Sequence, residues 1–302
     1  MDKISIIIVH YNTDKDTREC LESLAKIEVD DFEYQILVVD NASREPLSLP
    51  KQYKNVQVIT SDKNLGFTGG NNLGFSMASR DFNPDYFLLL NSDTLVKPDF
   101  LVKIHQKIKN EPQCGIMVPK IYFASDCEFY HDDYKKKDRG KVIWMAGGMI
   151  DWDNLLTFHA GVDEVDRGQY ADFVDFDFAS GCCCLIRREA LAVSGVFNDQ
   201  YFLYYEDADL SMRVKKSGFT IMRDDEAIIW HKNGGSTQGS GSDLQNFYLN
   251  RNRLFFFFKY GKLRVKLRTI KLAWNFYFKG NKVEKMAAKN FFLRRFGKQI
   301  AI

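Results

Sequence analysis

Hydrophobic positions in the first 110 residues alternate between strand-like and helix-like spacing. Short runs rich in Ile, Val and Leu predict buried strands at 4–9, 34–39, 56–59 and 86–90. Amphipathic spacing predicts helices at 14–26, 71–80 and 98–110. This alternation indicates an α/β fold with a Rossmann-like, mostly parallel sheet flanked by helices. Such sheets bind ligands at the carboxyl ends of their strands.

The pattern is less regular in the second half of the chain. Residues 121–177 are polar and rich in Tyr and Asp, and we interpret them as an elaborated loop region over the active face. Regular structure is predicted again further on: an apolar strand at 182–186, a helix from Arg188, a helix at 206–217 closed by Gly218, and a strand near 227–230.

Charge separates the end of the chain from the rest. Residues 251–302 carry fifteen Lys and Arg against one acid, Glu284, although the whole chain has a formal net charge of only +2. The chain is also rich in aromatic residues, with 25 Phe, 14 Tyr and 4 Trp. We therefore expect a large α/β domain at 1–250 and a basic, aromatic, helical appendage at 251–302.

In this appendage, hydrophobic residues recur at helical spacing with Lys and Arg between them: Leu263, Leu267, Ile270, Trp274 and Phe278. Such a helix is typical of a membrane interface, where each basic residue near an anionic leaflet contributes about 1 kcal/mol. The alternative is a set of core-packing helices with a solvated basic face. The longest apolar run, 254–258, is too short to span a bilayer. We expect an anionic membrane surface as a partner and no nucleic acid, because no nucleic-acid-binding module is recognised.

The amino terminus and the cysteines bear on location. Residues 1–9 run directly into a strand without a basic leader or a cleavage site, so we expect a cytoplasmic protein, peripheral on the inner face of the cytoplasmic membrane. The cysteines lack metal-site spacing, and we interpret them as buried thiols in a reducing compartment: Cys20, Cys114, Cys127, Cys182, Cys183 and Cys184.

Polar side chains follow two of the predicted strands. Asp40 and Asn41 can hydrogen-bond a nucleobase or a ribose, although an Asx turn explains Asp40 equally well. Asn91 and Asp93 follow the strand at 86–90, where one carboxylate beside a pyrophosphate commonly recruits Mg²⁺ or Mn²⁺, although these residues can equally cap a helix. Because both strands end at the same edge of a parallel sheet, we expect Asp40 and Asp93 to converge.

A glycine-rich segment at 64–72 joins a strand to a helix. Its three glycines, Gly66, Gly69 and Gly70, would let the backbone approach a ligand closely. The segment is neither a P-loop nor the dinucleotide fingerprint, because the residues that define those motifs are missing.

With these motifs together, the chain resembles family 2 glycosyltransferases of the GT-A fold, particularly the branch that includes bacterial rhamnosyltransferases. The resemblance spans about 4–260 and is carried by the following residues: Ser5 to Asn12, Val39 to Ser43, Asn64 to Asn72, Leu89 to Asp93, Ala179 to Gly181, Tyr205 to Arg213, and His231. It implies a catalytic domain at 1–250, with a nucleotide-binding half at 1–120 and an acceptor half at 121–250.

The resemblance also assigns roles to single residues. Asp207 would be the catalytic base, and Asp93 and His231 would hold Mg²⁺ or Mn²⁺. Acceptor-binding residues would be Trp144, Ser180, Gly181 and Glu206. Residues that bind the nucleotide sugar would be Tyr11, Asp40, Asn41, Asn64, Gly66, Gly70, Asn71, Asn91 and Asp93. The family often has a second carboxylate in the metal motif, and this chain has Asn91 there.

The residues themselves support some of these roles. Inverting transfer is one in-line displacement that needs a base on the acceptor hydroxyl, and a single carboxylate such as Asp207 suffices. Asp209 and Arg213 are spaced for a helix-surface ion pair. A lone His such as His231 is usually a structural residue, and only its position relative to the family favours a metal role.

We therefore expect an inverting hexosyltransferase that uses dTDP-β-L-rhamnose or a UDP-sugar, with a lipid-linked saccharide or other glycan as acceptor, in bacterial surface polysaccharide synthesis. A sugar-nucleotide pyrophosphorylase would need a glycine-rich, basic amino-terminal loop, and residues 10–13 read His-Tyr-Asn-Thr instead. An inactive nucleotide- or carbohydrate-binding scaffold is a further alternative, and the joint presence of Asp40, Asp93, Asp207 and His231 argues against it.

Overall fold

The computed structural model of the chain describes residues 1–50, 53, 55–232 and 241–299. The strands of its main sheet are β1 Asp2–His10, β2 Phe32–Asp40, β3 Val56–Thr60, β4 Tyr86–Leu90, β5 Thr94–Val96, β6 Cys114–Phe123, β7 Ile143–Met145, β10 Cys183–Arg187 and β11 Thr220–His231. A separate hairpin consists of β8 Gly147–Asp151 and β9 Leu156–Ala160. The α-helices within the described residues are α1 Asp14–Leu24, α2 Gly66–Asp81, α3 Phe100–Lys109, α4 Arg188–Ser194, α5 Glu206–Lys216, α6 Asp243–Tyr260, α7 Leu263–Lys279 and α8 Lys282–Phe292.

The sheet has a parallel half and a mixed half. Strands β3, β2, β1 and β4 are adjacent in that order and parallel, as their apolar runs predict. Beyond β4, β10 runs antiparallel to both β4 and β6, and β11 is parallel to β6. The short strand β5 pairs antiparallel with the end of β11, with Thr94 opposite His231. This pairing brings the residue before β5, Asp93, next to His231.

The stretch 121–177 is more regular than its sequence predicts. Strand β6 extends into it as far as Phe123, and β7 and the β8–β9 hairpin lie within it. Gly147 and Gly148 suggest a loop in the sequence, but they lie in β8. A Cβ at Gly147 would lie 2.8 Å from the Phe176 side chain, and a Cβ at Gly148 would lie 2.5 Å from the Phe178 carbonyl oxygen. Close packing, and not a turn, explains these two glycines.

The glycine-rich segment is also part of an element. Helix α2 begins at Gly66, five residues before the predicted start. Gly66 has φ +73°, and a Cβ there would lie 2.3 Å from the Phe202 carbonyl oxygen. A Cβ at Gly70 would lie 2.9 Å from the Val9 side chain. These two glycines let the helix approach the sheet and a neighbouring loop, whereas the sequence suggests close approach to a ligand.

The carboxyl-terminal helices begin before the expected domain boundary. Helix α6 runs through residues 250 and 251, and it buries Phe247, Arg251 and Phe256. The outer side of α7 is different, because large apolar residues such as Leu263 and Phe278 are exposed there. Within the ranges described, the structure contains no helix of sufficient length and apolarity to span a membrane.

Candidate active site

A cavity of about 370 Å³ opens where β1 and β4 end, beside the start of α5 and the end of β11. Twelve of the fifteen residues that the sequence assigns to the site line it: Tyr11, Asn41, Asn64, Gly66, Asn91, Asp93, Trp144, Ser180, Gly181, Glu206, Asp207 and His231. They come from both halves of the chain, and the fold brings them to one place. Their individual roles remain predictions.

Asp93 and His231 form the polar centre of one wall. The Nε2 atom of His231 lies 3.1 Å from Oδ1 of Asp93, and both residues are buried. The Nδ1 atom of His231 is buried without a hydrogen-bond partner. The ring of Trp144 meets the His231 ring edge-on at 4.6 Å and the His159 ring at 4.5 Å. The imidazole is therefore held by packing, with one nitrogen directed at a carboxylate.

This pair fits a divalent cation that completes its coordination with substrate. No cluster of three or more His, Cys, Asp or Glu that could hold an ion occurs in the described part of the chain. Mg²⁺ is usually bound by one or two carboxylates, waters and substrate phosphates, so one carboxylate and one imidazole suffice when a diphosphate is present. An imidazole ligand would favour Mn²⁺ as an alternative.

Glu206 and Asp207 line the same cavity from the first turn of α5. The carboxylate of Asp207 accepts hydrogen bonds from the backbone N–H of Gly181 at 3.1 Å and of Ala208 at 2.8 Å. These bonds fix the carboxylate at the cavity. Glu206 is buried, and its Oε2 atom has no hydrogen-bond partner.

The environment raises the pKa of both carboxyl groups. Burial raises the pKa of Asp207, although the N–H groups of Gly181 and Ala208 favour its ionised form. Burial and the adjacent charge of Asp207 raise the pKa of Glu206 well above its usual value. Because the N–H groups of Gly181 and Ala208 stabilise the ionised form of Asp207, whereas the pKa of Glu206 is raised further, we assign the negative charge to Asp207 and the proton to Glu206.

Three predicted site residues lie outside the cavity lining: Asp40, Gly70 and Asn71. Asp40 is fully buried, and its carboxylate accepts hydrogen bonds from the N–H of Ser43 at 3.0 Å and of Leu47 at 2.8 Å. Although burial opposes ionisation, these amides hold the pKa of Asp40 below its usual value. The geometry therefore supports a role for Asp40 in the turn after β2 and not a direct contact with a nucleobase. The amide of Asn71 donates to the Phe67 carbonyl within α2.

Two cavity residues also hold the turn that leads into α2. The Asn41 side chain accepts from the N–H of Leu65 at 2.8 Å and donates to the carbonyl of Gly66 at 3.0 Å. The Asn64 side chain accepts from the N–H of Gly66 at 2.8 Å. These amides therefore shape the entry to the helix from inside the cavity.

The cavity lining also contains residues to which no sequence motif assigns a role. The additional residues are Val9, Thr13, Phe67, Ser92, His159, Cys182, Phe202, Leu203, Tyr204, Leu244 and Gln245. Phe202 and Tyr204 have positive φ, a conformation that no sequence signal at bulky residues indicates. A second cavity, of about 620 Å³, shares Tyr11 and Asn64 with the first and includes Lys298 and Gln299 from the carboxyl-terminal segment.

Asp209 is a buried residue with several hydrogen-bond partners and not a surface residue. The expected pair with Arg213 is present, since Arg213 Nε donates to Oδ2 at 2.8 Å, but Asp209 is fully buried. Its Oδ1 also accepts hydrogen bonds from Tyr201, Lys259 and Tyr260. Asp209 thereby connects α5 to α6, a contact between distant elements that helical spacing does not reveal.

The cysteines are structural. All six are free, and five are buried, whereas Cys127 is only half-buried and so departs from the expectation. Burial raises the pKa of Cys182 and Cys183 well above the usual value, so these thiols remain neutral.

Comparison with known proteins identifies the class of protein. The family described as "Glycosyl transferase family 2" matches residues 5–194, more than half of the chain. The chain belongs to glycosyl transferase family 2, which confirms the family that its motifs suggest.

Curated relatives include hexosyltransferases and rhamnosyltransferases. The chain is 26% identical to Rhamnosyltransferase WbbL of Escherichia coli K12, covering 72% of this chain and 79% of that protein. It is 23% identical to the N-acetylglucosaminyl-diphospho-decaprenol L-rhamnosyltransferase of Mycobacterium tuberculosis, with 78% of each covered. It is 23% identical to Low-salt glycan biosynthesis hexosyltransferase Agl10 of Haloferax volcanii, covering 73% of this chain but only 64% of the relative.

Solved structures confirm the GT-A fold. GalNAc-T7, crystallised with UDP, GalNAc and Mn²⁺, superposes with a TM-score of 0.65 at 13% identity, covering 98% of this chain and 55% of that one. At this identity the likeness concerns the fold alone.

Proposed function

We propose that the protein is a metal-dependent inverting glycosyltransferase that moves a hexose from a nucleoside diphosphate to a saccharide acceptor. The observation that carries this proposal is that Asp207 and the Asp93–His231 pair line one cavity. The cavity thus combines a carboxylate base with ligands for a cation that binds a diphosphate.

The reaction divides between Asp207 and the Asp93–His231 pair. Asp207 takes the proton from the acceptor hydroxyl as its oxygen attacks the anomeric carbon, and the bond to the diphosphate breaks on the opposite side. The raised pKa of Asp207 makes it a stronger base than an exposed aspartate. Protonated Glu206 can donate a hydrogen bond to an acceptor oxygen. Asp93 and His231 would hold the cation, which neutralises charge on the leaving diphosphate.

The donor we propose is dTDP-β-L-rhamnose. The support is the sequence similarity of the chain to two rhamnosyltransferases, at 26% and 23% identity. One of them is named for a decaprenol-linked diphospho-sugar. By the same likeness, the acceptor is a lipid-linked saccharide in bacterial surface polysaccharide synthesis. A UDP-sugar is the alternative donor, and GalNAc-T7, which shares the fold, was crystallised with UDP.

The proposed location is the cytoplasmic face of a membrane, with α7 as the contact. Leu263, Trp274 and Phe278 of α7 are exposed, and Trp274 stacks on Phe278 at 5.4 Å. Lys and Arg lie between these residues along the helix. Exposed aromatic residues beside basic ones suit an anionic bilayer interface, which also holds a lipid-linked acceptor.

Donor turnover tests the proposed function. The protein is incubated with Mn²⁺ and dTDP-β-L-rhamnose, or UDP-hexoses, together with a polyprenyl-diphosphate-linked N-acetylhexosamine. We expect release of the nucleoside diphosphate from one donor class, and NMR of the product should show inversion at the anomeric carbon. A retained configuration would rule out single displacement, and absence of turnover with every donor would favour an inactive scaffold.

Vesicle binding tests the proposed location. Replacing both Trp274 and Phe278 by Ser removes apolar groups that each contribute about 1.5–3 kcal/mol when fully buried. We expect co-sedimentation with phosphatidylglycerol-containing vesicles to weaken by at least roughly tenfold. Val174→Ser is the control, because Val174 is also an exposed apolar residue but lies outside α7. Equal binding of the double variant and wild type would contradict membrane docking through α7.

A further inference from the structure

The loop before Asp207 has an unfavourable backbone. Phe202, Tyr204 and Tyr205 have φ values of 67°, 69° and 71°. Side chains with a Cβ disfavour this left-handed conformation, and three such residues in four positions persist only where surrounding contacts hold them. The same loop forms one wall of the cavity, since Phe202 and Tyr204 line it. Its shape therefore determines where α5 begins and where Asp207 lies.

Helix α6 supplies the contacts that hold this loop. The side-chain amide nitrogen of Asn252 donates to three carbonyl oxygens, of Tyr201 at 3.0 Å, Leu203 at 2.7 Å and Tyr204 at 2.9 Å. Arg251 fixes the orientation of this amide by donating to its Oδ1 at 2.8–2.9 Å. Both side chains are fully buried, so water does not compete for these bonds.

A second contact from α6 holds the chain just after Asp207. Lys259 Nζ lies 2.6 Å and the Tyr260 hydroxyl 2.8 Å from Oδ1 of Asp209. Asp207 lies between this anchor and the loop that Asn252 holds. One helix thus fixes the chain before and after the base.

We propose that Asn252 is a positioning residue that holds the loop at 201–205, so that Asp207 faces the acceptor hydroxyl. This role depends on the proposed function, because it presumes that Asp207 is the base. Helix α6, in the basic carboxyl-terminal part of the chain, then supports the active site from outside the cavity's catalytic residues. Asn252 acts through the backbone and touches no substrate.

Asn252→Asp tests this role. The substitution keeps the shape and the oxygen that Arg251 contacts, and it removes the donors to three carbonyls. We expect kcat to fall about 10²-fold, because a displacement of about 1 Å has an effect of that order. KM for the donor and the Kd for dTDP or UDP with Mn²⁺ should change by less than about threefold. Asn252→Ala, which removes these donors and also the oxygen that Arg251 contacts, should lose at least as much activity.

The control is Ala273→Gly, which changes a buried residue of α7 and destabilises that helix without touching the loop. It should retain wild-type kcat, and hydrogen exchange at 201–207 should be accelerated only in the Asn252 variants. Wild-type kcat in folded Asn252→Asp, or an equal loss in Ala273→Gly, would overturn the positioning role while leaving the proposed function intact. A wild-type protein that turns over no donor would overturn the proposed function, and the positioning role with it.

Discussion

Replacing Asp207 by Asn should reduce kcat by at least roughly 10²–10⁴-fold, the range that general base catalysis contributes. The amide has nearly the same shape, and its oxygen can still accept from the N–H of Gly181. Because the variant loses only the proton acceptor, the Kd for dTDP or UDP with Mn²⁺ should stay within about threefold of wild type. Steady-state kinetics and calorimetric titration measure the two quantities.

The pH dependence follows from the raised pKa of Asp207. A base must be ionised to accept a proton, so wild-type kcat should fall as the pH drops through this raised pKa. The residual activity of Asp207→Asn should lack this acid limb. Asp62→Asn is the control, because Asp62 is an exposed carboxylate that lines neither cavity. Full activity in the Asp207 variant would refute its assignment as the base.

Replacing Asp93 by Ala should weaken Mn²⁺-dependent binding of the nucleoside diphosphate on the order of 100-fold, since a metal contact to a phosphate contributes several kcal/mol. The loss should appear only when the cation is present. In EDTA, variant and wild type should bind the nucleotide with the same residual affinity. Calorimetric titration with dTDP and UDP, each with Mn²⁺ and with EDTA, measures this difference.

His231 offers a second test of the same site. His231→Ala should weaken the Mn²⁺-dependent part of binding in the same direction as Asp93→Ala. His105→Ala is the control, because His105 is also buried and also pairs with an aspartate, at 2.9 Å from Asp2, but it lies outside the cavity. If the Asp93 and His231 variants kept wild-type affinity with Mn²⁺, the ion would not bind there.

The strand ends could be predicted because they depend on local pattern. Apolar runs followed by polar residues mark where parallel strands end, and that rule places Asn91 and Asp93 at the cavity. The same rule does not predict whether Asp40 faces a ligand. Its carboxylate accepts hydrogen bonds from the N–H groups of Ser43 and Leu47 instead. Whether a polar residue faces a ligand or its own turn depends on the backbone after the strand.

The remainder of the site depends on contacts that no local pattern records. The left-handed loop at 202–205 is held by Asn252, about fifty residues later in the chain. Gly147 and Gly148 suggest a loop in the sequence, but Phe176 and Phe178 pack against them within β8. The basic residues of α6 suggest a solvated surface, yet Arg251 is fully buried. In each case tertiary packing overrides the local signal.

Thermal denaturation of the wild-type protein with UDP, dTDP and GDP, each with Mn²⁺ and with EDTA, tests the central claim most directly. A ligand that binds only the native state at 100 times its Kd adds about 2.7 kcal/mol to the free energy of unfolding. We predict a rise of several degrees in Tm with one nucleotide, dTDP or UDP, and only when Mn²⁺ is present. An unchanged Tm with every nucleotide and metal would contradict a cation-dependent nucleotide-sugar site between Asp93, His231 and Asp207.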